Sequence, residues 1–150
     1  MAEQTVADVV AYRRSDELIS VPASASVFEA VAVMAEREVG AVLVATEDRL
    51  VAGIFSERDL LARVVHAGRD PASTPLSMVM TRDVRFVSPG TTVEAAMALM
   101  HVNRHRHLLV IDGPTVHGLV SMRDLVYQIV RRGPQGFTAA VHTAAPGATP

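Results

Sequence analysis

The sequence predicts an α/β protein made of two β-α-β-β-α repeats that pack about a pseudo-two-fold axis. Three observations carry this expectation. The segment Gly53-Ile-Phe-Ser56-Glu-Arg58-Asp59-Leu60-Leu61 recurs 65 positions later as Gly118-Leu-Val-Ser121-Met-Arg123-Asp124-Leu125-Val126, and similarity at a fixed offset marks a duplicated unit. Within each copy, short apolar runs alternate with stretches of helical spacing. The 150 residues, 49% hydrophobic and 20% charged, suffice for one compact body and are too few for several.

In chain order, residues 1–17 form an N-terminal arm in which Val6, Val9 and Val10 share one face of a short helix. The first repeat occupies residues 18–67. Residues 18–21 read as a strand, and Ser26 caps a helix whose Val27, Ala30, Val31 and Met34 keep helical spacing. Gly40 is expected to end that helix. Residues 41–45 and 50–55 are apolar runs separated by a charged turn, the pattern of a hairpin largely buried in a sheet. Ser56 starts a second helix whose Leu60, Leu61, Val64 and Val65 are expected to face the core.

The turn-rich residues 68–75 link the copies. Residues 76–132 hold a leading segment and the second repeat, in which Val87, Thr92, Met100 and Ile129 match Val21, Ser26, Met34 and Val64. One residue is lost in the turn at Asp112-Gly113-Pro114, which leaves the flanking elements intact. Residues 133–150 are dominated by Gly, Pro, Ala and Thr and read as a disordered tail. Neither copy could bury its sheet alone, so the two are expected to share a core.

Composition removes several function classes. The net charge of −2 gives no broad positive field for a nucleic-acid backbone or an anionic membrane. With no cysteine, disulfides, thiolate metal sites and cysteine nucleophiles are excluded. The first 14 residues lack the pattern of a secretory signal, and no apolar run approaches the length of a membrane span. A cytoplasmic location is the expectation.

The repeated strand, glycine, two apolar residues, Ser-x-Arg-Asp and an apolar residue resemble the CBS domain, named after cystathionine β-synthase. Arg106-His107 before the apolar run 108–111 extends the likeness, although the proline common after its first leucine is absent. The resemblance covers nearly the whole chain. It implies a non-catalytic regulatory pair of domains that binds AMP, ADP, ATP or a related adenosine compound, with S-adenosylmethionine or NAD as further possibilities. It also implies a homodimer associating through helices, with no cofactor required.

The residues agree with that chemistry. Asp59 and Asp124 could accept hydrogen bonds from ribose hydroxyls. Ser56 and Ser121, at helix starts, are placed to meet a phosphate. Arg58 and Arg123 could add phosphate contacts, and Arg106 with His107 could do the same in the second copy, where the first has Gly40-Ala41. Residues around Val21 and Val87 are candidate walls of an adenine slot. Against this stands a plainer role for Ser-x-x-Asp as a capping box that only satisfies orphan amides. The run 101–107, with His101 and His105 four apart, also invites a metal reading, but its adjacent arginines repel a cation and it holds no carboxylate. A solvated basic helix end is the plainer reading of that run. The alternative functions are a structural dimerisation module with empty clefts and, with neither a nucleophile elbow nor a phosphate-binding loop in the sequence, an enzyme least of all. An unidentified regulated protein is the expected recipient of the signal.

Overall fold

The computed structural model describes residues 3–11 and 18–132. The first repeat contains β1 (Ser20–Pro22), α2 (Val27–Arg37), β2 (Ala41–Ala45), β3 (Gly53–Ser56) and α3 (Glu57–Asp59), which continues as a π-helical stretch (Leu60–Val65). The second contains β4 (Phe86–Val87), α5 (Val93–Asn103), β5 (His107–Asp112), β6 (Thr115–Ser121) and α6 (Met122–Arg132). Two further helices, α1 (Val6–Ala11) and α4 (Leu76–Val79), precede the repeats. In each sheet the first strand runs parallel to the middle one and the last antiparallel to it, giving the orders β1-β2-β3 and β4-β5-β6. The expected β-α-β-β-α repeat is therefore present twice.

Local chemistry sets the helix starts. Ser26 accepts from the Glu29 amide at 3.2 Å while Glu29 returns a bond to the Ser26 amide at 2.9 Å, a complete capping box. Thr92 caps α5 through the Ala95 amide at 3.1 Å. The helix ends differ from expectation. The left-handed residue after α2 is Glu38, at φ 55°, and not Gly40; its counterpart after α5 is Arg104, at φ 56°. Both are residues for which this conformation is uncommon.

The second strand of the hairpin also starts later than the apolar pattern suggested. Thr46 and Arg49 close a turn through the Arg49 amide to Thr46 Oγ1, at 3.1 Å, which leaves Leu50 exposed and delays β3 to Gly53.

Both faces of each sheet are covered, which explains strands that read as continuous apolar runs. Because side chains alternate along a strand, Val42, Val44 and Phe55 turn toward α2 in one core while Leu43 and Ile54 turn away. In the second repeat Leu108, Val110 and Val120 face inward with α5 and α6, while Leu109, Ile111 and Leu119 turn away. Leu43, Ile54 and Leu109 meet in a third cluster, so the repeats join through the outer faces of their sheets.

The leading helices are exchanged. Val6 and Val9 of α1 pack in the second repeat's core with Val93 and Leu125. Leu76 and Val79 of α4 pack in the first repeat's core with Val27 and Val64. Matching backbone bridges, Thr5 to Thr92 and Ser26 to Pro75, lay each leading segment beside a helix cap. The linker 68–75 is thus partly docked: Val27 donates to the Thr74 carbonyl at 2.9 Å and Leu76 to that of Ala25 at 2.9 Å. The expected tail at 133–150 lies outside the described residues.

Not every apolar residue of the closing helices reaches a core. Val64 and Leu125 are fully buried, but Leu61 is 66% exposed, Val65 62% and Val126 43%, so the expectation that all face inward is corrected. Tyr127 of α6 is likewise 64% exposed.

Candidate functional site

A cavity of about 440 Å³ opens between the repeats. The first repeat supplies Ser56, Arg58 and Asp59 from the start of α3, with Ile54, Ala62 and Arg63 beside them. The second supplies the segment from Asn103 to His107, where α5 ends and β5 begins. Thr81, just after α4, completes the wall. Sequence reasoning placed Arg106 and His107 with their own repeat's Ser121 and Asp124. In the fold the pair does stand beside Ser121, opposite which His107 is paired, and it also lines the cavity of Ser56 and Asp59, because the repeats face each other.

Ser56 and Asp59 form a full capping box. The Asp59 carboxylate accepts from the Ser56 amide at 2.9 Å and the Ser56 hydroxyl at 3.0 Å, while the Asp59 amide donates to Ser56 Oγ at 3.3 Å. Its second oxygen accepts from Thr81 Oγ1 at 2.9 Å, and Arg63 Nε lies 3.6 Å away. Asp59 is 5% exposed. Ser121 and Asp124 repeat the box, with bonds of 2.7 and 3.1 Å. The plainer role for Ser-x-x-Asp is thus realised in both copies, and any ligand at Asp59 must share or displace Thr81.

Two residues that sequence reasoning missed hold this arrangement. Arg63 follows Asp59 by four, a spacing that puts both on one helix face. It donates to the Met80 carbonyl at 2.9 Å, fastening the π-helical stretch to the end of α4. Thr81 is brought in by an antiparallel bridge to Ile54, with bonds of 2.9 and 2.8 Å. At that bridge a Cβ on Gly53 would lie 2.6 Å from the Thr81 carbonyl oxygen, so the motif's first glycine is a matter of space. Its counterpart Gly118 sits at φ 125°, a backbone requirement.

A second cavity, of about 570 Å³, lies on the other side of Gly40, Glu57, Arg106 and His107. It is lined by Met34, Val39 and Leu60 and by Ser121, Met122 and Arg123. Asp124 lines neither cavity. Val21 and Val87 are 5% and 6% exposed and belong to the cores, so the apolar walls available to a ligand are Ile54 and Ala62 in the first cavity instead.

His107 stands in the partition, and burial pushes its imidazole below the ordinary value. Asp124, Glu57 and Asp59 oppose that shift and Arg106 adds to it. Among the described residues no group of three or more His, Asp or Glu side chains is placed to hold a metal ion. No helix among them is long and apolar enough to cross a membrane.

Comparison with known proteins follows the same lines. The CBS domain profile matches residues 6–66 and 76–131. The chain is 38% identical over 109 residues to the mitochondrial CBS domain-containing protein CBSX3 of Arabidopsis thaliana, covering 70% of this chain and 53% of that protein. It thus spans about half that relative's length. It is 30% identical to the CBS domain-containing protein YhcV of Bacillus subtilis, covering 73% of this chain and 76% of that one. A solved structure of a protein with CBS domains from Burkholderia ambifaria superposes with a TM-score of 0.82 at 35% identity, over 87% of this chain and 97% of that one.

Proposed function

The chain belongs to the CBS-domain family, and from that premise we propose that it is a non-catalytic regulatory module that binds an adenosine-type nucleotide between its repeats. One observation carries the reading: Ser56, Arg58 and Asp59 of one repeat meet Arg106 and His107 of the other around one cavity. A carboxylate, a hydroxyl and cations converging on a concave site with apolar Ile54 and Ala62 match the parts of a nucleotide. In this reading Asp59 accepts from the ribose in place of Thr81, and Arg58, Arg106 and His107 meet phosphate. Ser121, Arg123 and Asp124 form the corresponding set of the second repeat. A ligand spanning both repeats fixes them relative to each other. That in turn alters the outer helical surface around Leu61 and Val126 for a second copy of the chain or another cytoplasmic protein.

A second reading has a specific observation behind it. The Asp59 carboxylate is already satisfied by Ser56 and Thr81, as in a structural association module whose clefts stay empty. Calorimetric titration of adenine nucleotides separates the two. Asp59→Asn keeps the side chain's shape, and loss of a charge-assisted bond worth roughly 1.5 to 3 kcal/mol lowers affinity about tenfold or more. Asp124→Asn, outside the cavity, has the smaller effect. Absence of any nucleotide binding by the wild type leaves the association module standing, and equal losses in the two variants contradict the assignment to this cavity.

A further inference from the structure

Asp59 has little room for new donors. A carboxylate offers about four acceptor positions, two on each oxygen. On Oδ2 both are taken, by the Ser56 amide at 2.9 Å and the Ser56 hydroxyl at 3.0 Å. On Oδ1 the Thr81 hydroxyl takes one, at 2.9 Å. Arg63 Nε, 3.6 Å from the same oxygen, supports its charge but is too far to hydrogen-bond. One position on Oδ1 is therefore open, on a buried carboxylate that lines the cavity.

The donors already present differ in how readily they leave. The Ser56 bonds close the turn that starts α3, where the Asp59 amide donates back to Ser56 Oγ at 3.3 Å, and releasing them undoes the cap. The Thr81 hydroxyl closes no such turn. Its segment is held instead by the two backbone bonds to Ile54, at 2.9 and 2.8 Å, and by Arg63 donating to the Met80 carbonyl at 2.9 Å. Thr81 is half-buried on the cavity wall, so its hydroxyl can turn to water while the backbone stays in place.

A ribose brings two vicinal hydroxyls to this one open position. Resting on the nucleotide reading above, we propose that Thr81 is a specificity-determining residue: its hydroxyl fills the place that a second sugar hydroxyl would take, so the cavity binds 2′-deoxynucleotides almost as tightly as ribonucleotides. A single sugar hydroxyl enters the open position and adds a charge-assisted bond. The second makes its bond only by displacing that of Thr81, an exchange of like for like.

Calorimetric titration of AMP, 2′-deoxy-AMP and 2′,3′-dideoxy-AMP into the full chain, Thr81→Val and Thr81→Ser tests the proposal. In the wild type AMP and 2′-deoxy-AMP bind within about threefold of each other, and the dideoxy form binds about tenfold or more weakly because nothing fills the open position. Thr81→Val keeps the side chain's shape and the backbone bridge but vacates the second position. AMP then binds about tenfold more tightly while 2′-deoxy-AMP is unchanged; a merely structural Thr81 would weaken both together. Thr81→Ser restores wild-type behaviour. AMP binding about tenfold or more tightly than 2′-deoxy-AMP to the wild type, or Thr81→Val shifting both ligands alike, overturns the proposal and leaves the nucleotide reading intact. Dideoxy-AMP binding as tightly as AMP removes Asp59 from sugar recognition and overturns the proposal with it; binding of none of the three overturns the nucleotide reading as well.

Discussion

Substituting Gly53 by alanine tests how the site is assembled. The new Cβ would stand 2.6 Å from the Thr81 carbonyl oxygen and 3.0 Å from Met80 Sδ. The methionine can move aside, but the carbonyl belongs to a bridge whose two bonds, 2.9 and 2.8 Å, tie Thr81 to Ile54. Relieving the overlap means opening that bridge. Overpacking typically costs 1 to 3 kcal/mol and a backbone hydrogen bond about 1, so a loss of about 2 to 4 kcal/mol is expected. At roughly 2 to 4 °C per kcal/mol for a chain of this size, the melting temperature falls by about 4 to 16 °C. Gly90→Ala is the control, since a Cβ there meets nothing within 4 Å and should shift stability by less than about 0.5 kcal/mol. Urea denaturation of the three proteins gives the comparison. A Gly53→Ala protein as stable as Gly90→Ala would refute the role given to the bridge.

Acid sensitivity should trace in part to His107. Its lowered pKa means that the folded chain binds fewer protons there than the unfolded chain between that value and 6.5; this contribution to stability is intact above 6.5 and declines as pH falls through the window. His107→Gln should therefore lose less stability than the wild type between about pH 7.5 and about pH 5.5 in chemical denaturation, and an identical loss would remove His107 from the account. The exposed apolar residues of the closing helices, Leu61, Val65, Val126 and Tyr127, should mediate a homodimer. Light scattering is expected to give a dimeric mass for the wild type and a monomeric one for Leu61→Glu, and a monomeric wild type would rule the interface out.

The duplication and its motif were legible because period and spacing survive in one dimension: Ser56 and Asp59 lie three apart, and a cap needs nothing more distant. The pairing of clefts was not. His107 opens β5 opposite Ser121, as its own repeat dictates, but only the face-to-face packing of Leu43, Ile54 and Leu109 brings it and Arg106 to Ser56 as well. Thr81 was invisible for the same reason, since its bond to Asp59 exists only once the Ile54 bridge forms. Gly40 looked like a helix stop because glycine is the usual left-handed residue, yet Glu38 takes that position and Arg104 its equivalent. The apolar spacing after Asp59 correctly indicated a helix. It could not reveal the wider π-helical turn, where His66 donates to the Leu61 carbonyl at 2.9 Å, nor that Leu61 and Val65 face outward.

The exchange of leading helices fixes an order of events as the chain is made. Val6 and Val9, which precede the whole first repeat, are buried in the core of the second with Val93, Val120 and Leu125. The first repeat closes sooner, once Leu76 and Val79 arrive to cover Val27 and Val64. Its natural folding unit therefore reaches past the linker into α4, while the second repeat closes on a helix that precedes the first. Severing the linker would leave each half without the helix that seals it, so the two repeats, although copies in sequence, are inseparable as folded objects.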